Sequence, residues 1–279
     1  MDRNVSLLYC LLVPFFLTVA GCNGQETGQN NTPPPALAAS YNGIQFERIY
    51  FEEAMPSCTG QNKNAPCARM TADFPRAVSG PQRLQQFIND TISYYVRESL
   101  SAFATPREEL LPSMDSIARH FIRDYENFVK QNDDYGFTWE VETKGEILFQ
   151  NDKVLSVSLD NYSFTGGAHP NSFRYLLNFD LKNREMLHLE DIIADEARFK
   201  ARVEEAFRQY HQLQQGADLN EAGFFWDQAF FLPANFAIKQ NGLYLHYNNY
   251  EAAPYAAGST DLLLPWEKLQ GVIERERLF

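Results

Sequence analysis

Cysteine and histidine carry most of the reactive chemistry this chain offers, and their spacing sorts them. Cys22 follows Val19-Ala20-Gly21 at the end of an apolar stretch, Val5 to Ala20, which is the small-residue cleavage pattern of a bacterial lipoprotein signal. Cleavage before Cys22 lets its thiol carry a diacylglycerol and its new amino group a further acyl chain. Each buried methylene of such chains contributes about 0.8 kcal/mol, so two or three chains hold a protein durably on a bilayer. The apolar stretch is short of the roughly 20 residues of a membrane-spanning helix and contains Pro14. An ordinary secretory signal requires no cysteine at the cut. Cys10 leaves with the signal, so Cys58 and Cys67 remain as thiols. An oxidising envelope favours a disulfide between two cysteines this close, and no histidine lies beside them to suggest a metal.

The histidines, at 120, 169, 188, 211 and 246, show no metal-ligand spacing. The chain carries no HExxH, GxSxG, Walker-type or GxGxxG motif, so no catalytic residue, metal or cofactor is assigned. Adjacent carboxylates at Asp133-Asp134 and Glu204-Glu205 read as solvated surface. A two-carboxylate glycan hydrolase stays open as an alternative, because that pairing is spatial. Thr165-Gly166-Gly167-Ala168-His169-Pro170 is the segment whose composition suggests more than packing. Its glycines permit positive φ and close backbone approach. His169 then either bonds a nearby carbonyl or meets a ligand. Tyr250 and Tyr255, around Pro254, pose the same choice between closing a core and touching a sugar or protein. We expect the two segments to lie together, sharing one polar depression lined by His169, Tyr250 and Tyr255.

A formal net charge of −12 disfavours phosphate backbones and excludes nucleic acid as a natural partner, while favouring basic proteins. The 44% hydrophobic and 14% aromatic content suffices for a sizeable core. Residues 1–21 read as signal peptide, and 22–40, polar with Thr32-Pro33-Pro34-Pro35, as a flexible tether. Beyond it, strands are expected at 43–51 and 68–74, placing the cysteine pair across a hairpin. Ser79 is expected to cap a helix with Pro81 in its first turn, bearing Leu84, Phe87, Ile88, Ile92 and Tyr95. A second helix starts near Ser113, and a third carries Phe199, Val203 and Phe207. Period-two alternation from Phe137, a turn at Asn151-Asp152, and Asn241-Gly242 between apolar runs signal hairpins. Segregated strand and helix runs argue for an α+β fold, mostly antiparallel sheet with hairpins packed against two to three amphipathic helices.

The segment 165–170 and Asn249-Tyr250-Glu251-Ala252-Ala253-Pro254-Tyr255-Ala256-Ala257-Gly258, in this order, resemble a bacterial envelope family. Its members carry paired domains of unknown function 4163 and 3298. They include the extracytoplasmic module of a lysozyme-sensing anti-sigma factor (RsiV-like) and the non-catalytic region of a peptidoglycan deacetylase. The resemblance implies an N-terminal 4163-like region over 41–172 and a C-terminal 3298-like region over 173–279, packed as one globule. It also implies a membrane-tethered, extracytoplasmic binding module without enzymatic activity. A cationic protein such as lysozyme, or a peptidoglycan fragment, is the implied ligand. A purely structural envelope lipoprotein is the remaining alternative.

Overall fold

Ala68, Met70, Ala72 and Phe74 alternate with polar residues, so one face of a strand is committed to burial. In the computed structural model that face lies under two helices. The structure describes residues 43–59, 66–102, 112–132 and 136–279. Cys22, the tether and Asp133-Asp134 lie outside them. The described residues fall in one compact unit, Leu37–Phe279.

Six strands, β1 (Phe46–Ala54), β2 (Ala68–Ala77), β3 (Trp139–Gln150), β4 (Val154–Phe164), β5 (Asn171–Asp180) and β6 (Glu185–Met186), form one sheet in sequence order. Every pairing is antiparallel except β2–β3. That parallel pair is joined through two helices, α2 (Gln82–Ser101) and α3 (Met114–Gln131), preceded in the chain by the single turn α1 (Pro56–Thr59). The fold is α+β and mostly antiparallel, as expected. Strand β5 crosses residue 172, so the six-stranded sheet takes residues from both expected regions.

The helices close over Met70, Val141, Leu155, Val157 and Phe179 with Ile88, Ile92, Ile117 and Phe121. Ser113 caps α3 through a reciprocal pairing with Ser116. Ser79, in contrast, does not cap α2. Pro81, at φ −59°, occupies the cap position without a side-chain bond. Ser79 Oγ instead accepts from the Gln45 amide at 2.9 Å, and it donates to Gly43 O at 2.5 Å, stitching the entry of β1. Asn89 of α2 does the complementary work, bonding both the amide and the carbonyl of Ala77 at 2.8 and 2.9 Å.

Cys58 and Cys67 are joined, with Cα atoms 5.5 Å apart, within the connection from β1 to β2. Closing so short a loop restricts the unfolded chain, so Cys58→Ser/Cys67→Ser is expected to lose about 2.5–3 kcal/mol while still folding. Urea denaturation under oxidising conditions checks this; an unchanged midpoint would contradict it.

A second sheet, β7 (Asn235–Lys239), β8 (Gly242–Tyr247) and β9 (Thr260–Pro265), packs against the face of the first sheet opposite α2 and α3. Its other face is covered by α4 (Glu196–Tyr210), through Phe199, Val203 and Phe207. The chain ends in a short helix, α5 (Arg275–Leu278). The junction between the sheets is partly polar. Asn178 Nδ2 donates to Phe236 O at 2.6 Å, and the Ile238 amide donates to Ser156 Oγ at 3.2 Å. These side chains pair two backbone groups on the edge of β7 that, among the described residues, faces no strand.

Candidate functional site

The loop between β4 and β5 and the loop between β8 and β9 meet. His169 stacks on Tyr255 with ring centroids 3.7 Å apart and planes 15° from parallel. The Tyr255 hydroxyl donates to Pro170 O at 3.0 Å, and Tyr250 lies 5.7 Å from Tyr255. His169 Nδ1 also lies 2.9 Å from Pro170 O. The two segments thus lie together, though neither Gly167 nor Gly258 is required there by a close approach. A Cβ on Gly167 or Gly258 would meet nothing within 4 Å. Gly166 and Gly167 are needed for backbone at φ +89° and +105°, which turns the chain and presents His169. Tyr250 adopts φ +67° without being glycine and is 50% exposed. Ala252 and Ala253 are the members of the second segment that go into the core.

The depression beside this aromatic shelf is lined by residues other than the expected His169, Tyr250 and Tyr255. It measures about 240 Å³ and is walled by Asp160, Tyr162, Arg174, His246 and Asn248. β8 is buried on both faces, so Tyr244 and His246, two apart, point together away from α4. Asp261 stands opposite His246 in the β8–β9 register. Its carboxylate accepts from the Tyr244 hydroxyl and lies 2.6 Å from His246 Nδ1. Arg174 of β5 donates to Asp160 and to the Tyr244 hydroxyl, both at 2.5 Å. Asn248 closes the network: its Oδ1 accepts from the Arg174 amide at 2.7 Å and lies 3.1 Å from His246 Nε2. Its Nδ2 donates to Arg174 O at 3.1 Å, which fixes the amide orientation.

Burial alone would raise the Asp261 carboxyl, but hydrogen bonds from His246 and Tyr244 and the Arg174 charge outweigh it and hold it down to about 2. The Tyr244 hydroxyl is raised, first by burial and then by its bond to Asp261. Lys239 lies 3.9 Å from the Tyr244 ring centroid, and burial beside Arg174 lowers its ammonium. Glu251 is raised by burial, although it accepts the Asn248 amide at 2.8 Å. Among the described residues, no three His, Cys, Asp or Glu side chains gather as a metal set. The arrangement can hold a polar ligand against an aromatic face. Its carboxylate Asp261 is a poor proton donor at neutral pH.

Sequence reading alone did not single out Arg174, Asn248 or Asp261. The available signal was polar residues two apart in an apolar strand, Tyr244 and His246.

This architecture is the one seen in DUF3298-family crystal structures. A member from Bacteroides fragilis superposes with a TM-score of 0.65 at 18% identity, covering 84% of this chain and 95% of that one. Another, from Pseudomonas aeruginosa PAO1, gives 0.60 at 22% identity, covering 84% and 96%. Residues 190–267 match the family described as "Protein of unknown function (DUF3298)", and residues 61–172 match "Deacetylase PdaC". The chain is also 21% identical over 178 residues to the peptidoglycan-N-acetylmuramic acid deacetylase PdaC of Bacillus subtilis. That similarity covers 58% of this chain and only 37% of the deacetylase. Both segments with motif character, 165–170 and 249–258, fall within the two matched regions.

Proposed function

We propose that this chain is an extracytoplasmic binding module of the bacterial cell envelope, anchored through lipid on Cys22, whose shelf and depression engage a peptidoglycan fragment. The observation that carries this reading is the His169–Tyr255 stack beside the polar depression. A sugar ring offers an apolar face to such a shelf and hydroxyls to Arg174, Asn248 and their neighbours. The relation to a deacetylase named for peptidoglycan N-acetylmuramic acid supports that ligand class. The reading assigns no catalysis. Asp261 is held as a carboxylate, and the raised carboxyl, Glu251, is turned onto the backbone amides of Asn248 and Ala234.

Titration of soluble muropeptides into the mature domain tests the site. His169→Ala/Tyr255→Ala is expected to weaken binding about tenfold, the scale of a stacked aromatic contact, with little change in melting temperature. Equal affinity of wild type and variant would remove the shelf from the site. A second reading, a lysozyme-like cationic protein as partner, is favoured by the net charge of −12. Retention of lysozyme on immobilised domain at low but not high salt is its expected signature. No retention at low salt would eliminate it. Detergent-phase partitioning of wild type and Cys22→Ser tests the anchor, and equal partitioning would refute it.

A further inference from the structure

A larger concave feature than the depression beside the shelf lies along the outer edge of β5. Strand β6 pairs only with Phe179 and Asp180, so among the described residues Asn171–Asn178 has no strand on its outer side. The chain leaves β6 into the turn Leu189–Asp191 and α4, while residues 232–236 cross from the second sheet. Between them and α2 a groove of about 830 Å³ remains, within the range of small-molecule sites. Its apolar surface comes from Tyr95, Tyr175, Met186, Ile193 and Leu232. Tyr95 and Tyr175 meet edge to face, with centroids 5.1 Å apart.

Two features define what fits. The strand edge itself is occupied: the Leu176 amide donates to Asn235 Oδ1 at 3.1 Å and the Leu187 amide to Asn178 O at 2.8 Å. An added peptide strand would have to displace these bonds, so recognition falls to side chains. The charges are one-sided. Glu190 and Glu196 line the groove beside His188, and no lysine or arginine does. Neither carboxylate has a basic partner within 4.0 Å among the described residues. Glu98 adds its field from α2: after burial, it is the next cause raising both the Tyr95 and Tyr175 hydroxyls, the latter to about 12.

We propose that this groove is a second binding site, separate from the shelf, for an amphipathic cation: an ammonium or quaternary amine carrying an apolar chain. The chain lies on Met186, Ile193 and Leu232, and the cation sits over the tyrosine faces under Glu190 and Glu196. The experiment is calorimetric titration of the whole mature domain with octyltrimethylammonium, octyl glucoside and octanesulfonate, which share one tail. The cation is expected to bind and the anion not. Glu190→Gln/Glu196→Gln should weaken the cation about fivefold or more, the sum of two solvent-facing ion pairs. Ala234→Trp, at an exposed lining position, should abolish binding without lowering the melting temperature. Equal binding of cation and anion, no binding of any probe, or binding unaffected by Ala234→Trp would overturn the proposal. None of these outcomes bears on the muropeptide site, which His169 and Tyr255 test separately.

Discussion

Phe207→Ala is expected to destabilise the protein by about 3–5 kcal/mol, the range for removing a fully buried aromatic side chain. Phe207 of α4 is buried completely, with ring centroids of Phe224, Phe225 and Tyr247 at 5.1, 5.0 and 5.5 Å. Its loss reaches further than a cavity. Phe225, Trp226 and Asp227 hold φ of +62°, +51° and +63°, a left-handed turn made without glycine. Each such residue costs on the order of 1 kcal/mol or more, and here the burial of Phe225 among aromatic rings offsets it. The Phe225 amide also donates to Ala252 O at 2.7 Å, linking this turn to the loop that carries Tyr250 and Tyr255. Phe207→Ala should therefore loosen the turn before global unfolding. Urea denaturation measures the stability loss. Trp226, half exposed at the tip, reports the local change as a red-shifted emission relative to a Trp226→Phe background. Phe207→Leu, which keeps most of the volume, should lose less than half as much. A loss below about 1 kcal/mol for Phe207→Ala would mean the core tolerates the void, contrary to this account.

That turn illustrates where sequence reading stops. Phe224-Phe225-Trp226-Asp227 gives no sign of left-handed backbone, because residues with side chains avoid it and only tertiary packing enforces it here. By contrast, the β3–β4 turn is written locally: Asn151 Oδ1 accepts the amides of Lys153 and Val154, both at 2.8 Å. The helices were legible for the same reason, since their apolar spacing and the Ser113 cap are short-range. The parallel pairing of β2 with β3 was not, because no turn signals a partner lying beyond two helices. The meeting of His169 with Tyr255 could be anticipated from the character of their two loops. The adjoining network could not, because Arg174, His246 and Asp261 become neighbours only once the second sheet is laid against β5. The groove beside β5 was equally hidden, since it exists where β6 stops after two residues.

The network itself predicts a defined acid response. Its partners hold the Asp261 carboxyl down to about 2 in the folded protein, below its ordinary 3.8. A carboxyl with a lowered folded value contributes stability that is fully present above about pH 4. The contribution is lost as the pH falls from about 4 toward 2, because the folded state must then take up the proton its partners disfavour. The side chain is 44% exposed, so solvent screening limits this pH-linked part to about 1 kcal/mol. Asp261→Ala should cost more, about 2–3 kcal/mol at neutral pH. It strands the Tyr244 hydroxyl from its acceptor and leaves the buried His246 Nδ1 without a carboxylate. Asp261→Asn keeps an oxygen for Tyr244 and should fall between. Thermal or urea unfolding of the three proteins from pH 2 to 5 separates the parts: the gap between wild type and Asp261→Asn should narrow as the pH falls from about 4 toward 2. A gap independent of pH across that range would show that Asp261 acts by shape alone. The same series run with muropeptide bears on function. Arg174 and Asn248 are held by this network, so Asp261→Ala should also weaken binding in the depression while leaving the His169–Tyr255 stack intact.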